Sequence, residues 1–303
     1  MNNNIIIPAD VPEKHVKTYR KNFTKATDGT GRLMLFAGDQ KVEHLNDDFF
    51  GDNIAFDDAN PIHLFQIAAS ARVGVFATQL GLVARYGKQF PDIPYLIKLN
   101  SKTNLVPIGQ DDPLSKAWYT VKQVVNFSKK SDLHILGVGY TIYLGSIYEA
   151  EMLTEAAQII HEAHAHGLLT VLWMYPKGAA IKDEHDVNLI AGAAGVAACL
   201  GADFVKLKIP LLANTLTAEL LKKVVSAAGN TGVLCEGGAK EDPKLFLTEL
   251  YDQLHIGGVR GNGTGRNIHQ CNLSEAIKMA NAIHAITIQY KTVEEAVELL
   301  NEK

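Results

Sequence analysis

The chain has 303 residues, with 29 Lys or Arg and 33 Asp or Glu, so its formal charge is −4 with histidine neutral. This balance argues against a surface that binds nucleic acid, because such surfaces usually carry a basic excess or patch. Hydrophobic residues make up 47% of the chain and charged residues 20%, a composition that supports a large core and excludes a disordered chain.

The three cysteines, Cys199, Cys235 and Cys271, are far apart and show no paired CxxC spacing. We therefore predict neither a disulfide framework nor a zinc ribbon, and a reducing compartment fits this usage. The apolar run Ile5–Ile7 is too short for a signal sequence, and no stretch approaches the roughly 18 apolar residues of a membrane span. These features predict a cytoplasmic protein without a membrane partner.

Short apolar, β-branched segments recur along the chain, each followed by a longer stretch with helical features. Their midpoints lie roughly 22 to 40 residues apart, the size of a unit in which a helix returns over the sheet to the next parallel strand. We predict one (β/α)8 barrel domain over residues 1–303, with a doubly wound α/β sheet as the alternative. The predicted strands are Leu33–Ala37, Val73–Ala77, Tyr95–Leu99, Leu133–Gly137, Leu169–Met174, Ala202–Lys208, Gly232–Cys235 and Ile256–Arg260.

The first part of the chain contains two predicted helices. Within an N-terminal extension, residues 1–31, the segment Val11–Phe23 is expected to form an extra helix that covers the bottom of the barrel. The segment Ile147–His166 places apolar residues on one stripe and glutamates away from it, so it predicts an amphipathic helix that Gly167 ends.

Three helices are predicted in the second half. Asp186–Leu200 is rich in Ala and Gly, as expected of a helix that lies close to a barrel. Asp242 is the expected N-cap of the next helix, with Pro243 at its first position. The C-terminal region 287–303 contains a predicted helix, Val293–Lys303, that suits a subunit contact in a homo-oligomer.

The sixth predicted strand carries two lysines, Lys206 and Lys208, which alternation points to the same face, the barrel interior. Burial and a neighbouring ammonium both lower the pKa of a lysine, and an uncharged amine is the nucleophile that forms a Schiff base with a carbonyl. The alternative is that the lysines extend out of the barrel mouth or pair with Asp203 or Glu236.

The fifth predicted strand places Trp173 and Tyr175 on one face by the same period of two. Imine chemistry needs a group that moves protons, and a phenol hydrogen-bonded to an ammonium can do this. The alternative is that both aromatic residues simply pack in the core.

Asp39 follows the apolar first strand directly, so it is expected at the barrel mouth. A carboxylate there could hydrogen-bond a substrate hydroxyl or accept a proton. The alternative is a turn residue after Gly38. Glu43 and His44 are weaker candidates nearby.

Two glycine-rich segments, residues 235–240 and 261–269, follow the predicted seventh and eighth strands. Glycine lets backbone N–H groups approach an anion closely, and a helix that starts near Asn267 would add its positive end. Arg266 can add a bidentate contact to phosphate oxygens. The pattern predicts a phosphate site where barrels often build one.

Three histidines, His161, His164 and His166, suggest a metal-dependent enzyme as an alternative. Their spacing on one helix cannot place all three on one face, and the helix should lie outside the barrel. We therefore predict a solvated helix end and no metal or other cofactor.

Together these segments resemble archaeal-type class I fructose-1,6-bisphosphate aldolases and their relatives, a (β/α)8 family that includes aldol-type sugar synthases. The matching pieces span roughly residues 33 to 270 in family order, most of the chain. They are Gly38-Asp39 with Glu43-His44, Trp173–Gly178, Ala202–Lys206, Gly237-Gly238 and Gly265–Gln270.

The resemblance implies a lyase that splits fructose 1,6-bisphosphate into dihydroxyacetone phosphate and glyceraldehyde 3-phosphate, or joins them, in glycolysis or gluconeogenesis. It implies that Lys206 forms the Schiff base, Tyr175 is the acid and base, and Asp39 assists at the substrate hydroxyls. The implied substrate-binding residues are Trp173, Gly237, Gly238, Gly265 and Arg266, the glycines and Arg266 holding a phosphate. From the strand pattern we also predict Lys208 as a substrate-binding residue.

Two positions depart from the family pattern. This chain has Gln40 and Lys41 after Asp39 where Asp-His-Gly is usual. It has Glu236 where a small residue is usual, a charge that would oppose phosphate unless Lys240 or Lys208 offsets it. Two other functions remain alternatives: an imine-forming C–C transferase or synthase acting on another sugar phosphate, and a phosphate-binding barrel in which the amine is inert.

Overall fold

The computed structural model describes residues 5–44, 48–106, 111–212 and 215–302, and within them eight parallel strands close into a barrel. Closure confirms the predicted (β/α)8 barrel and excludes the open doubly wound sheet. A short antiparallel pair, β7 (Leu211–Leu212) and β8 (Thr215–Leu216), lies outside the barrel order. The barrel strands are β1 Leu33–Ala37, β2 Val75–Gln79, β3 Tyr95–Lys98, β4 Ile135–Leu144, β5 Leu169–Pro176, β6 Phe204–Leu207, β9 Gly232–Glu236 and β10 Gly261–Thr264.

Helices follow the barrel strands and surround them. None in the described part of the chain is long and apolar enough to cross a membrane. They are α1 Glu13–Thr27, α2 Gln40–Glu43, α3 Ile62–Ser70, α4 Leu80–Tyr86, α5 Val121–Ser131, α6 Glu149–Ala165, α7 Val187–Leu200, α8 Leu221–Ala228, α9 Pro243–His255, α10 Arg266–His269, α11 Leu273–Thr287 and α12 Val293–Asn301.

The predicted eighth strand, Ile256–Arg260, is wrong. Ile256 caps the end of α9, and the strand is the glycine-rich segment β10, which pairs with β1 and β9. A Cβ on Gly261 would lie 1.9 Å from the carbonyl oxygen of Leu33, so the close approach of two backbones requires glycine there. Residues that read as a loop from composition are therefore held as a strand by the ladders on both sides.

Several other strand boundaries move, and the change in β4 matters most for function. Predicted as Leu133–Gly137, it runs over Ile135–Leu144 because it pairs with β5 from Gly137 to Leu144. Strand β6 is shorter than predicted, because it ends at Leu207 and leaves Lys208 outside the strand.

Aspartate side chains cap the start of two helices, and the cap at Asp242 is the predicted one. The Asp186 side chain accepts hydrogen bonds from the first turn of α7, and Asp242 accepts one from the Leu245 N–H of α9. Helix α12 begins with a capping box at Thr292 and packs against α9 and α11, so this face of α12 is covered by its own chain.

Helix α1 closes the N-terminal end of the barrel, as the sequence predicts for its bottom, although it extends to Thr27. Tyr19 and Phe23 are buried with apolar side chains from the barrel interior, and the Phe23 ring stacks on Phe204 of β6. The interior is therefore packed from below, and its open end is the opposite one.

A buried polar network fastens this closed end. His164 of α6 is fully buried, with Nδ1 2.9 Å from an Asp10 carboxylate oxygen and Nε2 3.2 Å from Asp203 Oδ2. Asp203 also accepts hydrogen bonds from Tyr19 and from the backbone and hydroxyl of Thr170. The predicted solvated helix end is therefore wrong for His164, which faces inward because two carboxylates satisfy it.

This network makes stability depend on pH. Burial lowers the pKa of His164, but hydrogen bonds and charge from Asp203 and Asp10 outweigh it, so the pKa is raised above 6.5. A raised folded-state pKa stabilises the fold fully below the unfolded value and loses that contribution as pH rises through the folded value.

We expect His164→Gln to lower the free energy of unfolding by about 3 kcal/mol at about pH 6, since it leaves the two carboxylates without their cation, and by less at about pH 9. Urea unfolding at both pH values measures this. The matched control is His161→Gln on the exposed side of α6, which should stay within about 0.5 kcal/mol of the parent. An equal loss for His164→Gln at both pH values would show that the charge plays no part.

Candidate active site

A cavity of about 220 Å³ opens at the C-terminal ends of the barrel strands. This is the end at which barrel enzymes place their chemistry. All nine site residues predicted from the sequence line it, although their individual roles stay predictions. They are Asp39, Trp173, Tyr175, Lys206, Lys208, Gly237, Gly238, Gly265 and Arg266.

Lys206 and Tyr175 are in direct contact inside this cavity. The Lys206 Nζ donates a hydrogen bond to the Tyr175 hydroxyl oxygen at 2.9 Å. The contact follows from the register of β5 and β6, which sets Trp173 opposite Lys206 and Tyr175 two residues further on. Lys206 is only 6% exposed, so the alternative in which it extends out of the barrel mouth is wrong.

Burial moves the pKa values of this pair in opposite directions. Burial lowers the pKa of Lys206, although Glu236 and Asp39 oppose the shift, and the positive charge of Lys98 lowers it further. Burial, followed by the charges of Glu236 and Asp39, raises the pKa of Tyr175 well above 10. The site therefore favours an uncharged amine beside a protonated phenol.

Glycines make room for the functional side chains inside the barrel. A Cβ on Gly263 of β10 would lie 2.6 Å from Lys206 Cε and 2.7 Å from its Cδ. A Cβ on Gly139 of β4 would lie 2.5 Å from the Trp173 ring. The interior positions that face these side chains therefore cannot carry even a methyl group without moving them.

Lys208 differs from Lys206 in its surroundings. It follows the end of β6, is partly exposed, and donates a hydrogen bond to Glu184 at 2.6 Å. The predicted alternative of a lysine pair with Asp203 is wrong, since that carboxylate belongs to the network at the closed end. Lys208 still lines the cavity and can contact a bound ligand.

Asp39 is held by a residue that sequence reasoning missed. Its Oδ2 accepts a hydrogen bond from Nζ of Lys98 at 3.3 Å, while Oδ1 is buried and has no partner among the described residues. The side chain is therefore engaged with the site and does not cap a turn. The available signal was a lysine, Lys98, at an inward position within the apolar third strand.

The two weaker candidates near Asp39 also line the cavity. Glu43 accepts a hydrogen bond from the Ser101 hydroxyl at 2.8 Å and lies 4.0 Å from Lys98 Nζ. His44 Nδ1 lies 3.3 Å from a carboxylate oxygen of Asp48.

The glycine residues of the predicted phosphate site come together from β9 and β10. Gly237 donates a backbone hydrogen bond to Gly263, and Gly238 adopts a φ of +62°. Arg266 Nε donates to the Gly238 carbonyl at 2.9 Å, and its Nη1 lies 3.5 Å from Asp48 Oδ1. Part of the guanidinium is thus used to hold the loop.

Glu236 lines the cavity without either offset that the sequence suggested. Lys240 donates to the backbone carbonyls of Asn53 and Gln270, and Lys208 pairs with Glu184. Glu236 instead adds negative charge near Lys206 and Tyr175, where it raises the pKa of each.

The departure at Gln40 and Lys41 has a local structural reason. Gln40 Oε1 lies 3.4 Å from His269 Nε2. A Cβ on Gly265 would lie 2.0 Å from the same Gln40 oxygen. Lys41 points away from the cavity and donates to the backbone carbonyls of Asp58 and Ala59. Gln40 alone therefore adds a polar group to the cavity.

Tyr143 lines the cavity and is a second residue that sequence reasoning missed, because the predicted fourth strand stopped before it. Burial, followed by the charges of Glu43 and Asp39, raises its pKa well above 10.

No cluster of three or more potential metal ligands occurs in the part of the chain that the structure describes.

Comparison with known proteins agrees with this geometry. Residues 33–271 match the model of the DeoC/LacD family of aldolases. The chain is 56% identical over 293 residues to a fructose-bisphosphate aldolase/6-deoxy-5-ketofructose 1-phosphate synthase of Methanocaldococcus jannaschii, covering 97% of this chain and 93% of that one. The chain belongs to the DeoC/LacD aldolase family. It is a lyase, and the predicted resemblance to archaeal-type class I fructose-bisphosphate aldolases is confirmed.

Solved aldolase structures are similar to this chain over most of its length. A fructose-bisphosphate aldolase from Slackia heliotrinireducens gives a TM-score of 0.95 at 50% identity and covers 99% of this chain and 95% of that one. An archaeal fructose-1,6-bisphosphate aldolase, whose catalytic lysine is covalently bound to the carbinolamine intermediate, gives 0.75 at 29% identity, covering 89% and 99%. Both similarities extend well beyond the strands themselves.

We expect Tyr175→Phe to keep the fold but to lower kcat by about 10² or more, because general acid–base groups contribute on this scale. Steady-state aldol cleavage measures kcat, and circular dichroism measures folding. The matched control is Tyr140→Phe, a buried tyrosine of β4 that bonds to Glu155 outside the cavity. Loss of folding in Tyr175→Phe with little change in kcat would instead favour a packing role.

Proposed function

We propose that this aldolase forms a Schiff base through Lys206 and reversibly splits fructose 1,6-bisphosphate into dihydroxyacetone phosphate and glyceraldehyde 3-phosphate. The 2.9 Å contact between Lys206 and Tyr175 inside the cavity is the observation that carries this proposal. The reaction is a step of glycolysis in the cleavage direction and of gluconeogenesis in the other. A homo-oligomer in the cytoplasm remains part of the proposal.

In the first step, the uncharged amine of Lys206 attacks the ketone carbon of the substrate and gives a carbinolamine. The phenol of Tyr175 then donates a proton to the carbinolamine hydroxyl, which leaves as water, and an iminium ion remains on Lys206. The raised pKa of Tyr175 supports this role, since the phenol is protonated before the step begins.

In the second step, the phenolate of Tyr175 accepts the proton of the C4 hydroxyl as the C3–C4 bond breaks. Glyceraldehyde 3-phosphate leaves, and the electron pair of the broken bond moves into an enamine held on Lys206. The Asp39 oxygen Oδ1, which has no partner among the residues that the structure describes, can accept a hydrogen bond from a substrate hydroxyl during this step. Protonation and hydrolysis of the enamine then release dihydroxyacetone phosphate.

Binding of the sugar phosphate is assigned to the residues of the glycine loops. Gly237, Gly238 and Gly265 bring backbone close to the cavity, and Arg266 supplies positive charge next to them. Trp173 forms the wall beside Lys206, and Lys208 lies at the rim. Holding the phosphate positions the ketone carbon at the amine.

The relative from Methanocaldococcus jannaschii favours a second candidate, an imine-forming synthase that acts on another sugar phosphate, because its name carries both activities. A phosphate-binding barrel with an inert amine is the weaker alternative, because phosphate binding alone would not need a buried amine that is hydrogen-bonded to a phenol. A synthase would keep the enamine until a second aldehyde arrives. With fructose 1,6-bisphosphate alone it should release a single burst of glyceraldehyde 3-phosphate, whereas an aldolase should release it steadily.

We expect borohydride, added together with dihydroxyacetone phosphate, to attach the reduced adduct to Lys206, because it reduces an imine to a stable secondary amine. Peptide mass spectrometry locates the adduct. Lys208→Met serves as the matched control and should still be labelled on Lys206, and EDTA should leave the wild-type rate unchanged. An adduct on Lys208, or full activity in Lys206→Ala, would overturn the assignment.

We expect Arg266→Ala to weaken the use of phosphorylated substrates by roughly 1.5 to 3 kcal/mol, the scale of a hydrogen bond to a charged group. Unphosphorylated analogues should change little. The test compares kcat/KM for a phosphorylated and an unphosphorylated ketose in the wild type and the variant. Equal losses for both ketoses would assign Arg266 to holding the Gly238 loop only.

A further inference from the structure

Lys98 is a charged side chain that the proposed reaction does not use. It ends β3 inside the barrel and is completely buried. Its Nζ lies 3.3 Å from Asp39 Oδ2, 4.0 Å from Glu43 Oε1 and 4.7 Å from the centre of the Trp173 ring. A buried lysine is costly unless it is paired, and these two carboxylates and an indole supply the pairing.

Lys98 does not line the cavity, so a substrate would not touch it. It contacts two residues that do line the cavity, Asp39 and Trp173. It occupies one oxygen of the Asp39 carboxylate and leaves Oδ1 without a partner among the described residues. The Trp173 ring that it contacts also lies 6.0 Å from Lys206 Nζ, so the nitrogens of both lysines lie near one indole.

We propose that Lys98 is a positioning residue, which holds the Asp39 carboxylate with one oxygen turned to the substrate and places a positive charge near the Lys206 amine. This inference rests on the proposed function. It assigns a task to a residue of β3, a strand from which no side chain lines the cavity.

The charges around Lys206 show why the second cation matters. Tyr175 of β5 is its hydrogen-bond partner, and three carboxylates face it: Glu236 of β9, Asp39 after β1 and Glu43 of α2. Each carboxylate raises the pKa of Lys206, whereas Lys98 lowers it. Without Lys98, nothing among these groups would offset the carboxylates except burial.

The test compares Lys98→Met, which keeps most of the length of the side chain but removes its charge, with Lys98→Arg, which keeps the charge. The readout is the pH profile of kcat/KM for cleavage of fructose 1,6-bisphosphate. Activity is lost on the acid side as the Lys206 amine takes up a proton. Lys98 lowers the pKa of Lys206, so its loss should move the acid limb of Lys98→Met to higher pH by about one unit or more.

On that limb, a shift of one unit corresponds to about a tenfold loss of kcat/KM at fixed pH. The limb of Lys98→Arg should stay in place even if packing lowers the rate. In the double variant Lys98→Met with Asp39→Asn the limb should return towards its wild-type position, because both charges of the pair are gone, while the rate stays low. Circular dichroism checks that each variant is folded.

A fall in activity of Lys98→Met with an unmoved acid limb would show a merely structural role and overturn the proposal. Wild-type activity in Lys98→Met, or a limb that does not return in the double variant, would overturn it as well. If Lys98→Met does not fold, Lys98→Gln removes the charge in its place, and the same two outcomes decide the question. Borohydride trapping on wild-type Lys206 separates the two claims, since its absence would refute the proposed function itself.

Discussion

The site depends on a lysine amine inside a packed barrel, to which no carboxylate of the described residues is hydrogen-bonded. Burial favours the uncharged form of Lys206, and its hydrogen-bond partner is a phenol whose own burial favours the protonated form. The carboxylates of Glu236, Asp39 and Glu43 raise the pKa of Lys206, whereas the charge of Lys98 lowers it. The arrangement favours a nucleophilic amine and a protonated phenol at the same place.

Such a lysine needs space as well as electrostatics, and the barrel provides it through small residues. Gly263 leaves room for the lysine side chain and Gly139 for Trp173. At the other end, α1 and the network of His164, Asp10 and Asp203 close the barrel. The N-terminal end of the barrel is thus stabilised by packing and paired charges, while the C-terminal end keeps an open polar cavity. The residues that stabilise the fold and those that line the cavity therefore lie at opposite ends.

Much of the barrel could be predicted from the sequence, and so could the location of the nine candidate residues at one cavity, although their roles stay predictions. Alternation in β5 and β6 places Trp173, Tyr175 and Lys206 inward, and the other candidates follow from their positions after predicted strands. The eighth strand could not be predicted, since a Gly-Asn-Gly-Thr segment becomes a strand only when both neighbours supply its ladder. Lys98 was missed because a charge in an apolar strand gains meaning only from its partners. His164 was misread for the same reason, since Asp10 and Asp203 are distant in sequence.

The central claim is that Lys206 is an unusually weak base, and its reaction with cyanate tests this directly. Cyanate carbamylates only uncharged amines, so the pH midpoint of the rate at each lysine reports its pKa, and peptide mass spectrometry follows each site separately. Exposed Lys222 provides a reference within the same molecule. The account expects the midpoint for Lys206 to lie clearly below that for Lys222. A midpoint equal to or above that of Lys222 would contradict it.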